Sequence, residues 1–227
     1  VLQQLLQSQH FFDADDSDNT DEIIGGMIKS PLELALQSIS VFNIAIPSPT
    51  DNPFRHYIQF YSNNVINRIF GLAGLPIFFP SDVAGYPGYY QDPDFSRQWF
   101  NSSTIIARYK LPQQLLTGRA VIGAGSPNAN LWIKLDIAPW VKNSGFFSDP
   151  SDPYALTRDL LKYMLPEQLD DDRFNYFYNT VFLDNLPPAD WTYEWQNYLN
   201  TGNQTEVRIP LERLVTAIMY SPEYQTF

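Results

Sequence analysis

An all-α fold is predicted from three observations. Helix-start signals recur along the chain at Ser30-Pro31, Asn52-Pro53, Asn101 and Pro210. Apolar residues then follow at three- and four-residue spacing. Strand competes with short helix in one place alone, Trp132 to Ile137. The expected architecture is a single irregular multi-helix domain over 1–227, with one long ordered loop rich in Pro, Gly and aromatic residues at 72–98.

Val1, Leu2, Leu5 and Leu6 already keep a helical spacing, and the chain opens without Met. A C-terminal fragment of a longer protein is therefore expected, with these residues packing on the remaining helices or on a second copy. An acidic surface loop follows at 13–22, where Asp13, Asp15, Asp16, Asp18, Asp21 and Glu22 accompany almost nothing apolar. Ser30, Pro31 and Glu33 form the next start signal. Ser caps, Pro occupies a first-turn position where its missing N–H costs nothing, and Glu reaches back to close a capping box, in all worth ~1 kcal/mol. Leu32, Ala35, Leu36 and Ile39 line one face of that helix.

From Asn52-Pro53, a second helix carries Phe54, Tyr57, Ile58, Tyr61, Val65 and Ile69 to Gly71. Residues 72–98 keep neither period; Pro76, Pro80, Pro87, Pro93, Gly74, Gly85 and Gly88 fix the backbone there. Such a loop is expected to be ordered, with Phe78, Phe79 and Trp99 buried. Asn101 caps a helix that reaches Gly118, with Pro112 kinking or splitting it. Later helices are expected at 153–164, 170–183 and 189–200, and a last one from Pro210 through Leu211, Leu214, Val215 and Ile218. The first and last helices share an exit through Ser and an aromatic residue, read as a common helix end or a duplicated unit.

Composition narrows the function classes. Hydrophobic residues make up 44% and charged residues 17% of 227, which excludes general disorder. The longest apolar run, Ile69 to Phe79, is 11 residues interrupted by Gly and Pro, too short for a membrane span. A net charge of −11 repels phosphate backbones, so nucleic acid is a poor partner. Without cysteine there are no disulfides, thiolate metal sites or cysteine nucleophiles.

Chemistry-bearing residues are few. Tyr86, Tyr89, Tyr90, Phe95 and Trp99 form an aromatic cluster that either staples the loop to the helices or stacks on a glycan, with Asp92 and Asp94 for its hydroxyls or, in an enzyme, for acid and base work. Asp13, Asp15 and Ser17 have calcium-loop spacing, but Asp18 stands where Gly is needed and Ile24 where Glu is needed. His10 and His56 lack spaced partners. Asp170, Asp171 and Asp172 complement a helix dipole, and Asn101 and Asn203 begin glycosylation-type triplets. Arg108, among Ile105, Ile106 and Tyr109, is expected to be buried against a carboxylate, first of all Glu33. No cofactor and no metal is expected.

Four stretches resemble, in order, the C-terminal half of the bacterial domain-of-unknown-function family 1800. They are Lys29-Ser30-Pro31-Leu32-Glu33; Gly74-Leu75-Pro76 through Phe78 and Pro80 to Gly85-Tyr86-Pro87; Trp99-Phe100-Asn101-Ser102 to Ile106-Ala107-Arg108; and Ser221-Pro222-Glu223-Tyr224. Tyr86 stands where many members have Trp. The resemblance implies a largely helical, exported protein, periplasmic or on the cell surface, whose N-terminal half is missing here. It also implies a neighbouring sulfatase-like protein, and assigns no catalytic residue. The expected role is a non-catalytic binding or scaffolding module that meets its own missing half and a hydrolase-like partner. The alternative is a polysaccharide-active enzyme or glycan-binding protein using the aromatic loop. A cleft with paired carboxylates would favour the enzyme, and an exposed apolar patch the scaffold.

Overall fold

The computed structural model describes residues 28–44, 46–80, 82–88, 98–117 and 134–226, with side chains omitted at 63–68. The described residues are helical, and the extended pairings among them are isolated bridges. The expectations for the helix at 1–10, the acidic segment 13–22 and Trp132 lie outside them.

Helix α1 (Pro31–Val41) begins with the expected capping box: Ser30 Oγ accepts from the Glu33 amide and Glu33 Oε2 accepts from the Ser30 amide. Its buried face differs from the expected one. Leu34, Ala35 and Ser38 point inward, whereas Leu32 and Leu36 are exposed.

The next helix, π1 (Phe54–Gly71), covers the expected residues with π-type hydrogen bonding. An i→i+5 ladder adds residues to each turn and so rotates the stripe that a 3.6-residue period predicts. Phe60, Ile69 and Phe70 are buried, while Phe54, Tyr57, Ile58 and Tyr61 face solvent. His56 donates Nδ1–H to the Pro47 carbonyl and packs edge-on against Tyr57 and Tyr61, a satisfied structural histidine.

Beyond π1, Leu75 and Trp99 are buried as expected for Trp99, but Phe78 and Phe79 are 68% and 79% exposed, which overturns their expected burial. The cause is local: Phe79 donates its amide to the Pro76 carbonyl, so 76–79 is a turn whose outer side carries both rings. Gly74, at φ +92°, lies where a Cβ would stand 2.4 Å from the Gln98 carbonyl oxygen, so the backbones approach too closely for any side chain.

Helix α2 (Thr104–Thr117) is entered through Asn101, whose Oδ1 accepts from the amides of Ser103 and Thr104. Pro112 neither splits nor ends it; it sits buried within the continuous helix and withholds an N–H from the Arg108 carbonyl. The segment before α3 (Ile137–Asn143) is neither strand nor helix at 134–136, and Leu135 ties back to the Leu115 carbonyl.

Helix α4 (Pro153–Met164) is capped by Asp152, and α5 (Asp171–Asn175) by Asp170. The latter continues as π2 (Tyr176–Phe182), and α6 (Pro188–Thr201) ends on Gly202 in the left-handed region. Helix α7 (Thr205–Tyr220) starts five residues before the expected Pro210. Asn203 Oδ1 accepts from the Thr205 amide and hydroxyl and makes the entry there, while Pro210 forfeits one interior hydrogen bond. The burial of Val207, Leu211, Leu214, Val215 and Ile218 makes α7 the central helix, packed on π2, α2, α3 and α6. A single turn, α8 (Pro222–Gln225), follows from Ser221, whose side chain accepts from the Tyr224 amide.

Candidate functional site

Three of the four stretches singled out in the sequence converge on one buried polar centre. Ile28 and Thr226 form an antiparallel bridge, and the Lys29 amide donates to the Gln225 carbonyl at 2.9 Å, so the lead into α1 runs beside the single turn of α8. Lys29 is 2% exposed; its Nζ donates to the Tyr224 carbonyl at 2.9 Å and lies 5.0 Å from the centre of the Tyr224 ring. From α1, Ser38 Oγ donates to the Leu34 carbonyl at 2.7 Å. Its single proton being used there, it accepts from the Tyr224 hydroxyl, also at 2.7 Å. From α2 comes Arg108, 1% exposed, which donates Nε–H to Gln225 Oε1 at 2.8 Å and Nη2–H to the Gln225 carbonyl at 3.5 Å. Gln225 Nε2 in turn donates to the Met219 carbonyl, fixing which end of the amide meets Arg108.

Arg108 is therefore buried as expected, but its expected partner is not. Glu33 is held at the surface by the Ser30 amide, and Arg108 instead bonds a neutral amide and a carbonyl. The capping box already commits the Glu33 carboxylate to the Ser30 amide. Arg108 Nη1 has no hydrogen-bond partner among the described residues.

Charge shifts follow. Burial, reinforced by the neighbouring Arg108 charge and opposed by Glu33, lowers Lys29 to about 8. Burial brings Arg108 down to about 10, and the Tyr224 phenol is pushed up to about 12, its bond to Ser38 opposing. Two basic groups thus lie close together out of water, and the Lys29 ammonium also feels the Glu33 carboxylate. Sequence reasoning gave no role to Lys29, Ser38, Tyr224 or Gln225. The signal for two of them was present, since Lys29 and Tyr224 belong to the stretches that carry the family resemblance.

The aromatic loop is described in part. The Tyr86 hydroxyl donates to the Pro76 carbonyl, and its ring lies 6.3 Å from that of the buried Trp99, tilted by 50°. These two rings fasten the loop to the core. Tyr89, Tyr90, Asp92 and Asp94 lie outside the described residues.

Elsewhere, a cleft of about 560 Å³ opens beside α4 and α5, with Tyr154, Arg158, Lys162, Glu167, Asp171 and Phe174 in its walls. The Tyr154 and Phe174 rings pack 4.9 Å apart. Asp159 at its edge accepts from the Ser148 amide and hydroxyl and from Arg158, which accounts for its hydrogen-bonding capacity structurally. Among the described residues there is no group of three His, Asp or Glu able to hold a metal, and no helix long and apolar enough to cross a membrane.

Fold and site together describe a helical domain in which Lys29, Arg108 and Tyr224 are brought together from distant parts of the chain. More particularly, the chain belongs to the family described as protein of unknown function DUF1800, whose model matches residues 1–226. No curated protein matches the chain. No solved structure matches it.

Proposed function

We propose that this domain is a non-catalytic binding or scaffolding module that acts outside the cytoplasm beside a hydrolase-like partner, the sulfatase-like protein that the family resemblance suggests. The observation that carries the reading is the outward apolar face of two neighbouring helices. On π1, Phe54, Tyr57, Ile58 and Tyr61 are 61%, 57%, 45% and 36% exposed, and on α1 Leu32 and Leu36 are exposed as well. Large apolar side chains gathered on adjacent helices mark surfaces used for association. A protein surface burying these rings gains about 25 cal/mol per Å² of apolar area, which favours a macromolecular partner over a small polar substrate.

Co-expression of the domain with the adjacent sulfatase-like protein and size-exclusion chromatography test the reading. The two should co-elute, and Phe54→Ser with Ile58→Ser should separate them without loss of helical signal. Independent elution of the unmutated pair would overturn the proposal. Retention on a polysaccharide array, abolished by Tyr89→Ala with Tyr90→Ala, would favour the glycan reading instead.

A further inference from the structure

We propose that the cleft between α4 and the start of α5 binds a pyranose unit of a neutral glycan, its C–H face on the ring of Tyr154 and its hydroxyls on the charged and amide side chains around it. The cleft measures about 560 Å³, within the range of about 300–1,000 Å³ in which small ligands are held. Successive turns on one face of α4 supply Tyr154, Arg158 and Lys162 to its wall. The connection to α5 supplies Glu167 and Gln168, and α5 itself supplies Asp171. Leu161 and Leu165, both buried, complete the lining with apolar surface.

Tyr154 is held as a platform. It is 49% exposed, yet two other rings fix it: Phe174 lies 4.9 Å away and Tyr178 meets it edge-on at 5.5 Å, the two being stacked on each other at 6.0 Å. A ring fixed in this way loses little freedom when the apolar face of a sugar covers it. Around it polar capacity is unspent: the Tyr154 hydroxyl and the side chains of Lys162, Glu167, Gln168 and Asp171 form no hydrogen bond or ion pair among the described residues. The charges select as well. Arg158 is paired with Asp159 at 3.0 Å, which leaves Lys162 against Glu167 and Asp171. An anion would meet two carboxylates there, and a cation would meet Lys162 and Arg158. Hydroxyl groups donate to carboxylates and accept from ammonium and amide N–H at once, so a neutral polyol with one flat apolar face uses every group in the cleft.

Saturation-transfer NMR on the full 227-residue chain, titrated with cellohexaose and, separately, with N-acetylchitohexaose, tests the site. A saturable signal on the sugar ring C–H protons is expected with at least one of these flat, neutral sugars, and hexagalacturonate, with a carboxylate on each unit, should bind more weakly. Tyr154→Ala should weaken binding about tenfold or more, whereas Tyr154→Phe, which keeps the ring, should stay within about threefold of the parent. Glu167→Ala with Gln168→Ala alters exposed, unbonded side chains and serves if Tyr154→Ala fails to fold; it should weaken binding about threefold to tenfold. No saturable signal with either neutral hexasaccharide would overturn the proposal. So would unchanged affinity in a folded Tyr154→Ala protein or in the Glu167→Ala, Gln168→Ala protein, or tighter binding of hexagalacturonate than of both neutral sugars. A loss in Tyr89→Ala with Tyr90→Ala and none in Tyr154→Ala would overturn it too, assigning glycan binding to the aromatic loop. The measurement involves no protein partner, so this proposal and the association with a hydrolase-like protein fail separately.

Discussion

Arg108 and Gln225, 117 positions apart in the chain, meet through a 2.8 Å hydrogen bond in which a buried guanidinium donates to a side-chain amide oxygen. The bond ties the middle of α2 to α8. Gln225→Leu removes the acceptor while keeping the volume, and leaves Arg108 with Nε also unsatisfied. It should cost about 2–3 kcal/mol, read as a lower urea midpoint at unchanged m-value.

The low value of Lys29, about 8 in the folded protein against 10.5 for the free side chain, makes stability depend on alkaline pH. Between these values the unfolded chain binds more protons than the folded one, so stability rises with pH. Arg108 stays protonated over the lower part of this window, and above about pH 10 the further gain from Arg108, lowered to about 10, is opposed by Tyr224, raised to about 12, whose unfolded phenol ionises there. Urea midpoints should thus increase from about pH 8 to about pH 10 and then level off, and Lys29→Met should flatten the increase. A parent protein with a flat profile over this interval would contradict the burial of Lys29.

Gly74 is fixed by conformation and by space. Its φ is +92°, and a methyl group there would meet the Gln98 carbonyl oxygen at 2.4 Å, so Gly74→Ala should cost about 2 kcal/mol or more. Gly85 shares the positive φ but has open space around it, so Gly85→Ala should cost less. Thermal melting of the two variants side by side checks the difference.

Arg173 and Glu223 form a two-point ion pair, Nε to Oε1 at 2.7 Å and Nη2 to Oε2 at 3.2 Å, that joins α5 to α8. Burial raises the Glu223 carboxyl, but hydrogen bonds led by Arg173 outweigh it and hold the group below its usual range. A lowered folded-state pKa gives stability that is present above about pH 4.5 and lost as pH falls through the folded value. With both side chains about one-third exposed, Glu223→Gln should cost about 1 kcal/mol at pH 7 and progressively less as pH falls below about 4.5, measured by denaturant titration at each pH.

Much of the fold is legible in the sequence because its signals are local. The capping box at Ser30 and Glu33, the Asn101 cap, the aspartates before α4 and α5 and the apolar pattern of α7 each involve residues within a few positions of one another. Where local signals compete, expectation and structure part. Pro210 is a good first-turn residue, yet Asn203 makes the better entry and the helix tolerates the proline inside. Pro76 to Phe79 is apolar enough to read as buried, yet its turn faces both phenylalanines outward.

By itself the sequence determined that the chain folds into helices, where most of them begin, and which family it belongs to, since caps, periods and short motifs act over a few residues. Only the tertiary structure decided which face each helix buries and who partners Arg108. Those outcomes depend on how α1, α2 and α8 are brought together across nearly two hundred positions, and on a π-type ladder that rotates the stripe of Phe54 and Tyr57 into solvent. Glu33 had the right charge for Arg108, but its capping bond had already committed it to the backbone of α1, leaving a buried cation to the neutral Gln225.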